Sequence, residues 1–241
     1  MICLTKHATK LYHQLNKGKL YLIPCIIGPD TEENVLTLPI LNIISQTNIF
    51  IAENIRTCRR HIKRIHPAKD INNTIFYSYG KHNILNLRED FLPHILMGEN
   101  VGLISEAGLP CIADPGSKIV EYAHLFQIEV VPLVGPSSIL LALMASGMNG
   151  QNFAFSGYLP INKNERVRTL RKLENLARKT GQTQIFMETP YRNNQLITTI
   201  LKTCKSNTLL CIASDITMLS SNFSCIFNDV PINNHTTDTI T

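Results

Sequence analysis

The stretch VGLISEAGLPCIADPG, residues 101–116, decides the fold, because an apolar run passes directly into a turn rich in glycine and proline. Residues 101–105 are apolar on both faces, and so are residues 128–133, as a parallel sheet covered by helices on both sides requires. The same alternation extends over the first half of the chain, with strands predicted at 20–27, 47–52 and 74–79 and helices at 32–45, 56–66, 81–97 and 117–127. This alternation predicts a largely parallel α/β sheet.

The pattern changes after Gly135. An apolar helix follows Pro136, a residue suited to the first turn of a helix, and ends near Gly147. The remaining predicted elements are strands at 153–158, 184–188 and 209–213 and more polar helices at 165–179 and 191–203. The second half of the chain therefore also predicts an α/β arrangement.

We divide the chain into an N-terminal extension, an N-terminal α/β domain with a mainly parallel sheet and a C-terminal α/β domain with an irregular tail, at 1–17, 18–135 and 136–241. No linker rich in glycine and serine separates the domains, so we expect a packed interface with a cleft. From Ser220 onward the chain is polar and rich in Asn and Thr, which predicts no further strand. We expect roughly the last ten residues to be poorly ordered.

Composition narrows the class of protein. Of 241 residues, 44% are hydrophobic and 17% are charged, which is enough apolar material for a buried core and excludes a disordered chain. No apolar run approaches the ~18 residues needed to span a bilayer, so we expect a cytoplasmic protein. The seven cysteines are odd in number and lack C-x-x-C spacing, which predicts reduced thiols rather than a disulfide framework or a zinc site. The net charge of +5 is compatible with an acidic partner.

Sequence motifs for several cofactors and reactions are missing. The chain contains no G-x-G-x-x-G, no G-x-x-x-x-G-K-[ST], no H-E-x-x-H and no G-x-S-x-G. These absences argue against dinucleotide and nucleoside triphosphate sites, zinc-peptidase chemistry and the usual hydrolase turn. The eight histidines are dispersed, so we predict no metal site.

Three turns are distinctive: Pro24 interrupts the first predicted strand ahead of Gly28-Pro29, residues 105–116 begin at the end of the fourth strand, and residues 134–138 follow the fifth. In open α/β sheets, ligands bind outside the carboxyl ends of the strands, and glycine and proline there let backbone groups approach a ligand closely. Ordinary turn chemistry would explain any single turn. Three turns at successive strand ends, together with an acid that we expect to be buried, favour a site. Because no phosphate-binding fingerprint is present, we expect a neutral or cationic nucleoside.

Six sequence blocks follow one another along the chain: GKLYLIPCIIG at 18–28, AENIR at 52–56, SEAGLPCIADPG at 105–116, PLVGPSS at 132–138, GYLP at 157–160 and ETPYR at 188–192. In order and spacing they resemble the tetrapyrrole methylase superfamily, and most closely its branch of 16S ribosomal RNA 2′-O-ribose cytidine methyltransferases. Each block alone is weak, but the combination is specific. The chain resembles a short, divergent member of that branch, since Pro24-Cys25 replaces a Thr-Pro pair and Asn54 replaces an Asp.

The resemblance implies two α/β domains of the tetrapyrrole-methylase type, with S-adenosylmethionine in the cleft between them, and a homodimer. By motif matching, the residues that contact the cofactor are Pro24, Ser105, Glu106, Ala107, Gly108, Ile112, Ser137, Met187, Glu188 and Ala213. A sulfonium cofactor carries no phosphate, so backbone groups and small residues suffice, and Glu106 could hold its amino-acid or ribose end. Plain core packing is the alternative for Met187 and Ala213.

Two predicted helices are strongly basic. The first carries five basic residues: Arg56, Arg59, Arg60, Lys63 and Arg64. All of them except Arg59 share one helix face. The second carries Arg166, Arg168, Arg171, Lys172, Arg178 and Lys179. Such stripes fit contact with a phosphate backbone, although a solvated helix face is the alternative for either stripe alone. With the resemblance, ribosomal RNA or the small ribosomal subunit becomes the expected partner, bound by the first helix.

Methyl transfer to a ribose hydroxyl requires alignment of the acceptor and removal of its proton. We predict Glu53 as the proton acceptor and Arg56 as the RNA anchor. The alternative is a structural ion pair between Glu53 and Arg56 at the turn from strand to helix.

Two other functions stay open. The first is methylation of a tetrapyrrole precursor, a large planar acceptor that would require an open apolar trough rather than two basic helices. The second is RNA binding without catalysis, which a test for S-adenosylmethionine binding would distinguish from the two enzymes.

Overall fold

A computed structural model of the chain describes residues 17–80 and 85–226. The chain divides into two units, Met1–Pro136 and Ser137–Thr241. Each unit has its own sheets and its own hydrophobic core. Most of the predicted N-terminal extension and the tail expected to be poorly ordered lie outside the described residues. No helix in the described part of the chain is both long enough and apolar enough to cross a membrane.

The first unit is built on a parallel sheet. Its strands within the described residues are β1 (Leu20–Ile23), β2 (Ile49–Ala52), β3 (Ile75–Ser78), β4 (Val101–Ile104) and β5 (Val130–Pro132). They lie in the order β3-β2-β4-β1-β5, and each pair of neighbours is parallel. The predicted strands and the parallel sheet are confirmed, with bounds a few residues shorter than predicted.

Helices connect these strands: α1 (Glu32–Val35), α2 (Leu38–Gln46), α3 (Ile55–Ile65), a π-helical turn (Leu87–Phe91) that runs into α4 (Leu92–Leu96), and α5 (Ser117–Leu125). The single helix predicted at 32–45 is wrong, because Pro39 cannot donate a backbone hydrogen bond and would clash with the preceding turn of a continuous helix. Of the helix predicted at 81–97, residues 81–84 lie outside the described residues. Helical structure is found from Leu87, after Asn86, whose side chain accepts two backbone hydrogen bonds as a cap.

Side chains of the strands alternate between the two faces of the sheet and form two hydrophobic clusters. In β2, Ile51 belongs to one cluster and Phe50 to the other. Helices α4 and α5 cover the first cluster, where Ile119 is fully buried, and α2 and α3 cover the second, where Ile62 is fully buried. Both faces of the parallel sheet are therefore buried, as the apolar runs predict.

The second unit contains, in chain order, α6 (Ser138–Ser146), β6 (Phe153–Tyr158), α7 (Lys163–Thr180), β7 (Thr183–Met187), a 3-10 turn (Pro190–Arg192), α8 (Asn193–Thr203), β8 (Leu210–Ser214) and β9 (Asn222–Ile226). Strands β6 and β7 pair in parallel, and β8 and β9 pair antiparallel. Helix α6 is capped by Ser137 and ends at Gly147 in the left-handed conformation. Pro136 therefore precedes the cap and does not occupy the first turn as predicted.

Two expectations about the C-terminal region are wrong. Composition predicts no strand beyond Ser220, yet β9 pairs with β8 along its whole length. The first four residues of β9, NFSC, alternate between polar and apolar, a period-two signal that the polar surroundings obscure. The pairing places Cys211 opposite Cys225, and the two form a disulfide, so they are not the reduced thiols that we expect from sequence. The free thiols within the described residues are Cys25, Cys58, Cys111 and Cys204.

Gly102 lies at the centre of β4 and gives a test of the packing of the sheet. A Cβ at this position would lie 2.7 Å from Cδ1 of Ile23 and 2.9 Å from Cδ1 of Phe50, closer than van der Waals contact allows. We predict that Gly102→Ala lowers the free energy of unfolding by about 1–3 kcal/mol, the usual cost of overpacking a core. Urea unfolding followed by circular dichroism measures the change.

The matched control is Gly150→Ala, because nothing lies within 4 Å of a Cβ at that position. This variant should keep the free energy of unfolding within about 0.5 kcal/mol of the wild type. Equal effects of the two substitutions would contradict the close packing around β4.

Candidate functional site

The carboxyl ends of β4, β1 and β5 lie side by side, because these strands are neighbours in the sheet. The loops after β1 and β4 are joined by hydrogen bonds: the Cys25 N–H donates to the Gly108 carbonyl at 2.8 Å, and the Gly108 N–H donates to the Ile26 carbonyl at 3.4 Å. The Ser105 hydroxyl also donates to the Gly108 carbonyl, at 2.6 Å. These bonds bring together Pro24, Ser105 and Gly108, three of the predicted cofactor contacts.

Backbone packing at this edge of the sheet leaves no room for a side chain at two glycines. Gly108 has a φ of +67°, and a Cβ there would lie 3.0 Å from the carbonyl oxygen of Pro136. At Gly135, a Cβ would lie 2.2 Å from Cβ of Pro24. Glycine is therefore required at both positions, and the three turns singled out in the sequence meet at one place.

Three carboxylates, which we call the acid cluster, gather at neighbouring strand ends. Glu53 follows β2, Glu106 follows β4, and Asp114 lies further along the loop after β4. The backbone N–H of Asn54 donates a hydrogen bond to Glu106. The Oδ2 atom of Asp114 is buried and has no hydrogen-bond partner among the described residues. A buried acceptor without a partner is uncommon, and it marks a place where a bound donor group would be stabilised.

Two members of the acid cluster, Asp114 and Glu106, have raised pKa values. Burial, together with the negative charges of Glu53 and Glu106, raises the pKa of Asp114 to about 6. Partial loss of solvent around its carboxyl group also raises the pKa of Glu106, although the residue as a whole is exposed; Glu53 adds to the rise, while the Asn54 hydrogen bond and the charge of Arg60 oppose it. Clustered acids with raised pKa values are typical of sites that bind cations or transfer protons. Within the described residues, no group of three or more His, Cys, Asp or Glu side chains could hold a metal ion.

The two predicted catalytic residues flank the start of α3. Glu53 is exposed at the end of β2, and its Cγ would lie 3.1 Å from a Cβ built on Gly80. Arg56 is exposed in the first turn of α3, where its backbone N–H donates to the side-chain oxygen of Asn54 at 3.0 Å. Among the ion pairs of the described residues, none joins Glu53 to Arg56. The alternative of a structural ion pair is therefore not realised.

The other predicted cofactor contacts of the first unit lie on the loop after β4. Glu106 and Ala107 are exposed, and Ile112 is half exposed. Cys111 and Ala113, which flank Ile112, have φ values of +66° and +63°, although neither is glycine. Backbone strain of this kind persists only where the surrounding structure enforces it, and it is frequent at functional sites. Here it shapes the part of the loop that presents Ile112.

Four predicted cofactor contacts belong to the second unit. Ser137 caps α6, and its hydroxyl oxygen accepts a backbone N–H at 3.4 Å. Glu188 forms a largely buried ion pair with Arg192, with 2.6 Å between Oε1 and Nη2, so its charge is already balanced. Met187 is the last residue of β7, and Ala213 lies in β8 where it pairs with β9. Both are partly buried strand residues, so packing contributes to their role whatever else they contact.

Helix α3 keeps all of its predicted RNA-binding side chains exposed: Arg56, Arg59, Arg60, Lys63 and Arg64. Three of them already have partners within the unit. Arg64 pairs with Asp30 and with Glu32, the latter at 2.9 Å between Nε and Oε1. Lys63 donates to a carbonyl of the loop after the helix at 2.5 Å. Arg59 lies over an aromatic ring of β3, 5.6 Å from its centroid.

A cavity of about 530 Å³ lies beside this basic helix. It is lined by Arg59, Arg60, Lys63, Ala68, Lys69, Asp70, Ile71 and Asn72. Lys69 is buried, and its Nζ donates to the carbonyls of Ser45 and Thr47 at 2.8 and 2.7 Å, while burial lowers its pKa. Arg56 and Arg60 form no ion pair within the part of the chain that the structure describes. Arg59 and Lys63 also lack an acidic partner, but they are held by a ring contact and by carbonyl oxygens, so Arg56 and Arg60 are the least engaged cations of α3 among the described residues.

The second basic stripe is wrong at one residue. Arg166 is only 2% exposed, because it lies on the face of α7 that also carries the buried Leu170 one turn later. The other basic residues of this helix are exposed: Arg168, Arg171, Lys172, Arg178 and Lys179. Sequence counts of charge therefore overstate the exposed stripe on α7 by one residue.

Comparison with known proteins identifies the family, although no protein-family model matches the chain. Ribosomal RNA small subunit methyltransferase I of Buchnera aphidicola (subsp. Schizaphis graminum) is 32% identical over 206 residues, which cover 85% of this chain and 68% of the relative. The protein of the same name from Thermotoga maritima is 30% identical over 206 residues, which cover 86% of each chain. The chain belongs to the ribosomal RNA small subunit methyltransferase I family.

Other comparisons bear on length and fold. The family member from Bacillus subtilis is 34% identical over 177 residues, which cover 73% of this chain but only 56% of the relative. Among solved structures, the methyltransferase CobJ matches with a TM-score of 0.56 at 17% identity, over 87% of this chain and 86% of that chain. This match shows the fold, and it confirms the α/β architecture expected from the resemblance to the tetrapyrrole methylases.

Two residues near the predicted site are missing from the sequence-based set. Asp114 lies in the family block at 105–116, but the sequence does not reveal that its carboxylate is partly buried beside Glu53 and Glu106. Lys69 lies in a polar stretch with no motif, and only the fold shows that it is enclosed by backbone carbonyls. The aspartate could have been found from its place in the block, whereas the lysine carries no sequence signal.

The raised pKa of Asp114 predicts a specific dependence of stability on pH. Because the folded state binds this proton more tightly than the unfolded state, ionisation of the carboxyl opposes folding above pH 6. We predict that Asp114→Asn raises the free energy of unfolding above pH 6. The gain should decline as the pH falls from about 6 to about 4, where the unfolded chain also binds the proton. Urea unfolding at several pH values measures it.

Asp70→Asn is the matched control with the opposite sign. Hydrogen bonds from the backbone of Asn72 and the side chain and backbone of Asn73 lower the pKa of Asp70, so its charge favours folding at neutral pH. This variant should lose stability at neutral pH and approach the wild type as the pH falls below about 4. A gain for Asp114→Asn that is equal at low and high pH would contradict the electrostatics of the acid cluster.

Proposed function

We propose that the protein transfers the methyl group of S-adenosylmethionine to the 2′-hydroxyl of a cytidine ribose in small-subunit ribosomal RNA. The observation that carries the proposal is the juxtaposition of the acid cluster with the basic helix α3 at one edge of the parallel sheet, where Arg60 acts on the pKa of Glu106. Membership of the ribosomal RNA small subunit methyltransferase I family supports the RNA substrate.

The residues at the strand ends fit a nucleoside that carries positive charge. S-adenosylmethionine has a sulfonium and an ammonium group and no phosphate, which suits the acid cluster and the absence of a phosphate-binding fingerprint. The buried Oδ2 of Asp114 can accept a hydrogen bond from an ammonium or hydroxyl group. Gly108, which has no side chain, leaves the backbone of the turn open to the ligand. When bound, this cofactor supplies a methyl group that is electrophilic because its sulfur is positively charged.

The acceptor hydroxyl is a poor nucleophile until its proton is removed. Glu53 is exposed at the end of β2, and we propose that its carboxylate takes this proton. Asp114 is the alternative acceptor, because its raised pKa of about 6 lies near neutral pH. Either acid then holds the proton at a carboxylate oxygen while the acceptor is methylated.

Helix α3 supplies the surface for RNA in this proposal. Arg56 is exposed three residues after Glu53, so a phosphate held by Arg56 would place the adjoining ribose near the proton acceptor. Arg60 follows one turn later on the same helix face and lines the 530 Å³ cavity. Contacts from arginine to phosphate fix the position of the strand but carry little sequence information. The identity of the methylated nucleotide then depends on other contacts.

Salt dependence tests the RNA surface. Binding of RNA phosphates to Arg56 and Arg60 releases counterions, and the log–log slope of affinity against salt falls by about 0.7 for each phosphate contact with a single strand. We predict that Arg56→Ala/Arg60→Ala flattens this slope by about 0.7 to 1.4 and weakens binding of all sequences similarly. Fluorescence anisotropy of a labelled single-stranded RNA, titrated at several salt concentrations, measures the slope.

The control, Arg88→Ala/Lys118→Ala, removes the same amount of charge. Both residues are exposed and belong to the side of the sheet covered by α4 and α5, opposite α3. Its salt slope should equal that of the wild type. If both double variants change the slope equally, net charge and not α3 determines RNA binding.

Methyl incorporation tests the reaction itself. With S-adenosylmethionine that carries a tritiated methyl group, the wild type should label the RNA of small ribosomal subunits that lack this modification. We predict that Glu53→Gln lowers the rate by about 100-fold or more, the contribution typical of a general base. Calorimetry should show that the variant still binds S-adenosylmethionine.

Glu89→Gln, at an exposed position in the π-helical turn, is the matched control and should keep the full rate. A wild type that binds RNA but neither binds S-adenosylmethionine nor labels the RNA would favour RNA binding without catalysis. Full activity of Glu53→Gln, combined with loss of activity in Asp114→Asn, would assign the proton to Asp114 instead.

A further inference from the structure

A second cavity, of about 380 Å³, lies between α7 and α8 of the second unit. Its volume falls within the range of about 300–1,000 Å³ that is usual for small-molecule sites. The lining residues are Lys163, Arg166, Val167, Asn194, Gln195, Thr198, Thr199, Lys202 and Thr203. Three of these side chains are cationic and none is acidic. No residue assigned a role in the proposed function lines this cavity.

Arg166 is the buried cation in the wall of the cavity. It is 2% exposed, and its guanidinium donates to the Ile161 carbonyl at 3.1 Å and to the Thr199 hydroxyl at 3.4 Å. The buried Nε atom has no hydrogen-bond partner among the described residues. A guanidinium has five N–H donors, so these two neutral acceptors leave most of its capacity unused.

Acidic residues nearby do not neutralise this charge. Glu174 accepts hydrogen bonds from the backbone N–H of Lys205, at 2.7 Å, and from the Thr208 hydroxyl. Glu165 is exposed in the first turn of α7 and does not line the cavity. Helix α8 contains no acidic residue. Buried arginines are normally paired, because an isolated charge loses its hydration without compensation.

The two lysines extend the positive field to the mouth of the cavity. Lys163 begins α7 and Lys202 lies near the end of α8, and both are exposed. The hydroxyl of Thr199 already donates to the Gln195 carbonyl at 2.7 Å, so it can only accept. The side-chain amides of Asn194 and Gln195 supply neutral donors at the same wall. Hydrogen-bond donors therefore outnumber acceptors in the wall of this cavity, as is typical of a site that binds an anion.

We propose that this cavity binds a phosphate group, with Arg166 as the buried cation and Lys163 and Lys202 as the exposed ones. A phosphate has several acceptor oxygens and charge to offset the guanidinium, and charge-assisted hydrogen bonds to it are the strong ones. It also needs no acidic or apolar lining. A free phosphorylated compound and a phosphodiester of RNA share this chemistry.

Calorimetry with inorganic phosphate tests the site, with ionic strength held constant by chloride and no methyl donor present. The wild type should bind phosphate saturably. Lys163→Gln/Lys202→Gln should weaken this binding by about tenfold or more, as the loss of charge-assisted contacts predicts. Arg166→Met should abolish it. Because Arg166→Met could fail to fold, the double lysine variant, with its exposed substitutions, keeps the test decisive.

The matched control is Lys172→Gln/Lys179→Gln, which removes two exposed lysines of α7 outside the cavity lining. It should bind phosphate like the wild type. Absence of saturable binding to the wild type, or equal weakening in both double variants, would overturn the proposal.

A competition experiment distinguishes the sources of the phosphate. Displacement of inorganic phosphate by a short single-stranded RNA supports a phosphodiester as the natural ligand, whereas retention of phosphate in the presence of RNA supports a free phosphorylated compound. Neither readout involves methyl transfer. Failure of the phosphate site and failure of the proposed methyltransferase activity are therefore distinguishable.

Discussion

The parallel pairing of β4 with both β1 and β2 is the constraint on which the rest of the first unit depends. Ile104 is in register with Ile23 on one side and with Ala52 on the other, so the three strands end at the same level. The residues that follow the strands, including Glu53, therefore lie side by side. The register of the strands alone places them there, without any contact between their side chains. Gly102 allows this arrangement, because a side chain at the centre of β4 would collide with both neighbouring strands.

This register has an electrostatic consequence that a fold selected for stability alone would avoid. Three carboxylates meet at the strand ends, and the partly buried Asp114 keeps its proton to about pH 6. The arrangement costs stability when Glu106 and Asp114 ionise, because their pKa values are raised in the folded state, and a bound cation would recover that cost. Asn54 moderates the density of charge. It stands where the resembled family has an aspartate, yet it still caps α3 through its side-chain oxygen and donates its backbone N–H to Glu106.

Sequence patterns predicted the parts of the fold whose signal is local. The strands of the parallel sheet are apolar on both faces, and that property is visible in a run of four or five residues. The division of the predicted helix follows from Pro39, a local signal that lies near the start of α2. Strand β9 was missed because its alternation is short and flanked by polar residues, and the pairing of Cys211 with Cys225 depends on that strand. The burial of Asp114 is a product of tertiary structure, so no local pattern contains it.

The basic residues show most clearly that the number of charges in a sequence segment does not predict which of them can bind a ligand. In the sequence, Arg64 and Arg166 look alike, since each belongs to a basic helix. In the structure, Arg64 is exposed but is paired with Asp30 and Glu32, whereas Arg166 is buried and forms no ion pair within the described part of the chain. The paired cation has little left to offer a polyanion, because its charge is already offset. The buried one has the greater need of an anion, because burial removes the water that would otherwise solvate it. Exposure and pairing, and not position in a charged stripe, thus decide which cations can carry function.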